Sequence, residues 1–550
     1  MWPSLRDFLR IPGELTGKNV RIAVIDGEFP NHPDISTNER RTSYLVRGMS
    51  DPETHPEVFQ AEPGPWSGGW HALCAAAAAG GSGAESQEIY KGVAPEADLF
   101  LVAKYSREPE YDLEKAHIKA LEWVLHNWRK YEIRGVLSAR KRRIGSGILP
   151  WQTDPRRILC EELASEGVLV VSGSGNWPDE TTGIAEPAAP SVLSVGGVAI
   201  PQDGDPYRAK MYQGCRGTTF EGKWIPDILA PAENVVLPHR NDEEIANNFY
   251  AKIDDIPFRY ARIDGTSFSG PALLGAAACL WQAHPSWTAR EMKSALISSS
   301  LKRPEWSDLR AGLVSVSCAM ANGVPDAVHD VTDPYRNWSS WRKSSLDHRL
   351  DGLKSNNPDE VKDVILSFVG DDLPHQAVSL ICKQTKHPVA DVRAAALCAL
   401  AGGPPSQVDS GYILRAFRDS SPIVRMAGVY LLRSRSDLWS ECRVSFHNLF
   451  DDTSLDVRIE ALYLAPKMAY PDFAEGIAAG LEEDARMGRV ANFAARRDAL
   501  EAITGQRLPR TRPPFVHGGT PHTDESRDAR VDLARRWEDW LGENWLTGRV

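Results

Sequence analysis

Four short apolar runs constrain the fold of residues 17 to about 325: Arg21-Ile22-Ala23-Val24-Ile25, Leu99-Phe100-Leu101-Val102, Val168-Leu169-Val170-Val171 and Ser191-Val192-Leu193-Ser194-Val195. Each is too short to make a stable helix and nearly uninterrupted in its apolar character, so it reads as a strand buried on both faces. Such strands occur in parallel sheets that helices cover on both sides. The stretches between them carry helical patterns, at Ala72–Ala79, Leu113–Trp128, Pro155–Glu166 and Pro271–His284. The expected class is therefore α/β.

The pattern changes after residue 357 to helices alone. Three segments echo one another: His387-Pro388-Val389-Ala390-Asp391-Val392-Arg393, Ser421-Pro422-Ile423-Val424-Arg425 and Leu455-Asp456-Val457-Arg458, with a weaker copy at Asn492–Leu500. The arginines recur about every 33 residues, a period that marks a solenoid of stacked helix pairs. The segments resemble HEAT repeats, and the resemblance implies an all-α HEAT-like solenoid that binds a protein partner. The expected organisation is an N-terminal extension (1–16), an α/β unit (17–328), a polar linker (329–356), helical repeats (357–505), and an irregular loop with a C-terminal amphipathic helix (506–550). Trp537 and Trp540 in that last helix are expected to cap the stack.

The chain has 550 residues and a formal charge of -11, which argues against nucleic acid as the main partner. No apolar run is long enough to span a membrane, and the N-terminus lacks an apolar core of the secretory type, so neither a membrane nor export is expected. None of the eight cysteines forms a C-x-x-C pair. They read as reduced, buried side chains of a cytoplasmic protein.

Four polar residues stand where chemistry could be done. Asp26 ends the first strand, at the edge where open α/β sheets place their sites. His71, in Gly68-Gly69-Trp70-His71-Ala72-Leu73, precedes a run of alanines that can pack tightly while the imidazole stays at the helix mouth. Asn176 follows a buried strand on a Gly-rich turn, where its amide could face a developing oxyanion. Ser267, in Gly265-Thr266-Ser267-Phe268-Ser269-Gly270-Pro271, opens an apolar helix whose first N–H groups and positive dipole end suit an oxyanion.

In the order Asp, His, Asn, Ser, these motifs resemble subtilisin-like serine proteases (subtilases) over residues 17 to about 325. Further blocks carry the likeness: Asn31-His32-Pro33-Asp34-Ile35, Tyr90-Lys91-Gly92-Val93-Ala94-Pro95-Glu96-Ala97, and Trp224-Ile225-Pro226-Asp227-Ile228-Leu229-Ala230-Pro231. The resemblance implies a subtilisin-like parallel sheet and a catalytic triad of Asp26, His71 and Ser267. It implies Asn176 in the oxyanion hole and substrate contacts at Leu137, Ser138, Ala139 and Gly173. The implied activity is intracellular serine endopeptidase, acting on proteins or peptides. Little chain precedes the first strand, so a long folded pro-segment is not expected. The resemblance also admits calcium, but no cluster of oxygen ligands stands out, and no cofactor is expected. The sequence departs from the family at Gly27-Glu28, where a hydroxyl residue then Gly is usual, and at Ala72-Leu73, where Gly-Thr is usual. An inactive scaffold of this fold, or a HEAT-type adaptor, is compatible with the same residues.

Overall fold

The computed structural model describes residues 1–48, 51–61, 69–104, 112–138, 147–177, 186–239, 251–252, 256–257, 259–326, 332–509 and 524–545. The central strands are β1 (Arg21–Asp26), β2 (Ser43–Val46), β3 (Glu57–Val58), β4 (Asp98–Ala103), β5 (Ile133–Ser138), β6 (Leu169–Gly173) and β7 (Leu193–Ala199). Beyond them come β8 (Lys210–Met211), a small hairpin of β9 (Gly217–Thr218) and β10 (Trp224–Ile225), and β11 (Ile228–Glu233). Among the described residues the sheet runs β11-β7-β6-β5-β1-β4-β2-β3, with β8 on β7. Its long strands are parallel, as the apolar runs predict, while the two-residue strands β3 and β8 join antiparallel at its margins. Margins of this kind leave no run of apolar residues for sequence patterning to register.

The alternation of side chains divides the core. Ile22 and Val24 of β1 face the layer holding helices Trp70–Gly80 and Thr266–Ala283. Ala23 and Ile25 face helices Leu113–Asn127 and Pro155–Glu166. The first two helices meet closely because both are lined with small residues. A Cβ on Gly275 would lie 2.5 Å from the carbonyl oxygen of Ala79, so only glycine fits there.

Beyond residue 357 the described residues form a stack of helices. Helices Pro358–Leu366, Ala390–Leu400, Pro422–Ser434, Leu455–Met468 and Val490–Thr504 pack side by side in chain order. The repeating arginines tie each turn of the stack to the next. Arg393 forks onto Asp419 at 2.9 and 2.8 Å, Arg425 forks onto Asp452 at 2.7 Å twice, and Arg458 reaches Asp484 at 3.5 Å. Each also donates to carbonyls of the loop that precedes its own helix: His387 and Pro388, Asp419 and Ser420, and Asp452. Arg425 and Asp452 are both buried, so removing one leaves the other without its partner. Arg425→Ala is expected to destabilise the stack by about 3–5 kcal/mol, visible as an earlier unfolding transition in urea. A shift worth under about 1 kcal/mol, the range of exposed ion pairs, would show that the ladder is incidental.

Three expectations need correction. The segment read as a polar linker forms helices Pro334–Lys343 and Leu346–Gly352. Asp333 and Ser345 cap them, and each helix is too short to show a clear apolar period. Of the cysteines, all free, Cys318 is exposed and Cys382 half-buried, whereas the other six are buried. The closing helix starts earlier than the amphipathic pattern suggests and runs Asp524–Trp540. Trp537 is fully buried in the core of the stack and Trp540 packs against it. Among the described residues, no helix is long and apolar enough to cross a membrane.

Candidate active site

β1 is where the order of the sheet turns, with β4 and β2 on one side and β5, β6 and β7 on the other. Carboxyl ends of strands at such a position open a crevice, and Asp26 is the last residue of β1. Its side chain is only 1% exposed. One carboxylate oxygen accepts the Gly27 N–H at 2.6 Å, and the other lies 2.8 Å from Nδ1 of His71. Burial alone would raise the Asp26 pKa. The neighbouring His71, the ammonium of Lys104 and the Gly27 N–H outweigh it and hold the group below the usual carboxylate range. An ionised carboxylate on Nδ1 keeps the proton on that nitrogen and leaves Nε2 as the acceptor.

His71 is the second residue of helix Trp70–Gly80, and nine of the residues after it are buried in an Ala-rich packing surface. That packing fixes the helix while the ring stays partly open at its mouth. The imidazole sits against the rings of Trp70 and Phe268, with centroids 5.6 and 5.7 Å away. Trp70 in turn stacks on His239. Phe268 directly follows Ser267, so this contact brings the His71 ring to the first turn of the Ser267 helix.

Ser267 is the second residue of helix Thr266–Ala283 and is half-buried. Its N-cap, Gly265, has φ of 143°, which side-chain-bearing residues rarely adopt. This backbone turns the chain sharply from the preceding strand, Tyr260–Ile263, into the helix. Asn176 is locked to the same turn. Its Oδ1 accepts from the Thr266 N–H and the Thr266 hydroxyl, both at 2.9 Å. Two donors on one end make that end the oxygen and direct the NH2 group the other way. The Gly175 N–H donates to Thr266 Oγ1 at 3.0 Å, which closes a second link between the two loops.

The expected substrate contacts divide. Leu137 is buried, with its side chain directed at the Ser267 helix near Gly270. Ser138 is also buried, and its hydroxyl is 2.8 Å from Nε2 of His117. Any Cβ on Gly173 would lie 2.3 Å from the Thr266 carbonyl oxygen, so Gly173 is the point where β6 and the Ser267 helix touch. Ala139 lies outside the described residues.

Sequence reasoning passed over two residues. Thr266 stands beside Ser267, and its role in gripping Asn176 could have been suspected from that position alone. Lys104 follows β4, where its N–H donates to the Asp26 carbonyl at 3.0 Å. Its buried ammonium lies 3.3 Å from Nδ1 of His117. A lysine at the end of an apolar strand was the available signal. Among the described residues, no three His, Cys, Asp or Glu side chains are grouped so as to hold a metal ion.

With this geometry in place, comparison with known proteins is informative. The model of the subtilase family matches residues 17–316. The serine protease AprX of Bacillus subtilis (strain 168) is 27% identical across 58% of this chain and 69% of its own length. The subtilisin-like protease PopC of Myxococcus xanthus (strain DK1622) is 24% identical across 54% of this chain and 59% of its own. Among solved structures, fervidolysin from Fervidobacterium pennivorans is 14% identical with a TM-score of 0.42, over 58% of this chain and 45% of that one. The chain thus spans less than two thirds of PopC and of fervidolysin.

Proposed function

From the premise that this chain belongs to the subtilase family, whose members are serine-type endopeptidases, we propose that it hydrolyses peptide bonds through an acyl-enzyme on Ser267. The observation that carries the reading is the 2.8 Å contact between buried Asp26 and Nδ1 of His71. It prepares Nε2 to take the Ser267 proton as the hydroxyl attacks the scissile carbonyl. The imidazolium then formed is stabilised by Asp26 and gives its proton to the leaving amine. Water enters, His71 acts as base again, and the ester on Ser267 is hydrolysed. The tetrahedral oxyanion is met by the Asn176 NH2 group and the Ser267 N–H at the positive end of its helix.

The helical stack is read as HEAT-like and as the part that selects a substrate or binds a partner. The regular arginine–aspartate ladder and the repeat period support that reading. The setting is read as intracellular, on the free cysteines. A fluorophosphonate probe tests the enzyme. Labelling that maps to Ser267 supports it, whereas a folded chain that resists the probe favours an inactive scaffold. Asn176→Ala is expected to lower kcat by about 10²–10³-fold with a smaller change in KM. An unchanged kcat in a peptide-hydrolysis assay would remove Asn176 from the oxyanion hole.

A further inference from the structure

The helical stack and the peptidase unit do not keep separate cores. Ile148, Leu149 and Phe220 of the peptidase unit are buried in the same apolar cluster as helices Ala390–Leu400 and Pro422–Ser434. The Phe220 N–H donates to the Gly147 carbonyl at 2.9 Å, so these two peptidase segments are joined at that cluster. Trp177 packs against it too, and Trp177 is the residue after Asn176. The link is reinforced alongside. Arg157, fully buried, donates to the Leu149 carbonyl at 2.9 Å, and its charge reaches Cys398 and Tyr430 on those two helices. Trp338, on the helix before the stack, meets Trp151 edge to face at 5.2 Å and donates to the Leu366 carbonyl.

We propose that Trp177 is a positioning residue through which the helical stack holds the Asn176 amide in place. The argument rests on the oxyanion role given to Asn176 above. That side chain is gripped at its oxygen end by Thr266. Its backbone on the other side continues directly into a half-buried indole packed against the apolar cluster that the stack shares with Ile148, Leu149 and Phe220. A planar amide must be aimed as well as anchored, and a donor misplaced by about 1 Å costs up to about 10²-fold in rate. The stack is therefore a structural part of the active site as well as a recognition surface. A partner that shifts the stack within this shared cluster changes turnover without touching the substrate.

A double-mutant cycle on the full chain tests this. Trp177→Ala is expected to lower kcat by about 10- to 10²-fold, per active site titrated with the fluorophosphonate. Trp177→Phe, which keeps a ring in the cluster, is expected to retain most of the parental kcat. In an Asn176→Ala background, Trp177→Ala is expected to have no further effect, because the group it positions is gone. Losses that simply multiply, or a parental kcat in Trp177→Ala, overturn the proposal while leaving the oxyanion assignment standing. A parental kcat in Asn176→Ala alone sinks the oxyanion assignment and this proposal with it. If Trp177→Ala does not fold, as judged by circular dichroism, Trp177→Leu serves in the same cycle.

Discussion

Ser267→Ala is expected to reduce kcat for peptide hydrolysis by about 10⁶-fold and to abolish fluorophosphonate labelling, with the fold intact. The loss is large because serine, imidazole and carboxylate act as one unit. Without the hydroxyl there is no acyl-enzyme, and a residual rate can come only from binding and oxyanion stabilisation. The fold should survive for a structural reason. The hydroxyl of Ser267 makes no hydrogen bond among the described residues, and the turn is held by Gly265, Thr266 and Asn176 instead. Thermal unfolding within a few degrees of the parent, together with lost labelling, is the anticipated pair of results. Labelling that persists in the folded variant would place the nucleophile elsewhere.

Asp26→Asn should lower kcat by about 10⁴-fold while preserving geometry. An amide at position 26 can donate to Nδ1, which moves the imidazole proton to Nε2 and leaves no acceptor facing Ser267. It also removes the negative charge that stabilises the imidazolium. The pH dependence follows from the direction of the Asp26 shift. Its folded pKa lies below the ordinary 3.8, so its stabilising charge is present above the unfolded value and is lost only as pH falls through the lowered folded one. Activity of the parent enzyme between about pH 5 and 8 should therefore show no ionisation belonging to Asp26. A turnover for Asp26→Asn within tenfold of the parent would remove the carboxylate from the mechanism. The absent hydroxyl at Gly27 adds interest to this variant. In this chain the neighbouring buried cation, Lys104, contributes to holding Asp26 ionised.

Deleting residues 357–550 is a less clean experiment than the domain organisation suggests. The cut would expose Ile148, Leu149 and Phe220, which are buried against the stack. Each apolar side chain so exposed costs about 1.5–3 kcal/mol, so the truncated unit is expected to lose stability along with any control. Point variants such as Arg425→Ala and Trp177→Ala separate the two effects.

Much of the fold could be read from short windows. The apolar runs of β1, β4, β6 and β7 lie within a few residues of the observed strands, and Pro155–Glu166 matches its helix. A strand that must bury both faces, and a proline just after an aspartate cap, leave local marks in sequence. The helical pattern from Pro271 extends back to Thr266, in keeping with the placement of Ser267 at the helix mouth. In the structure, tight packing against Gly173 and Leu137 keeps that glycine-containing segment helical. Helices Pro334–Lys343 and Leu346–Gly352 were hidden for a different reason. Their burial depends on neighbours such as Trp151 and Leu366, which are remote in the chain.

Sequence alone determined which residues were candidates for chemistry, since Asp26, His71, Asn176 and Ser267 each sit in a local pattern that places a polar group at the end of an apolar element. It likewise set the repeat period of the helical stack. Tertiary structure decided which of these groups meet: Asp26 with His71, Asn176 with Thr266, Arg425 with Asp452, and Trp177 with the apolar cluster that the stack shares. The reason is physical. The periodicity of side chains along a helix or strand fixes which face is buried, whereas the partner of that face is chosen by close packing between segments far apart in the chain.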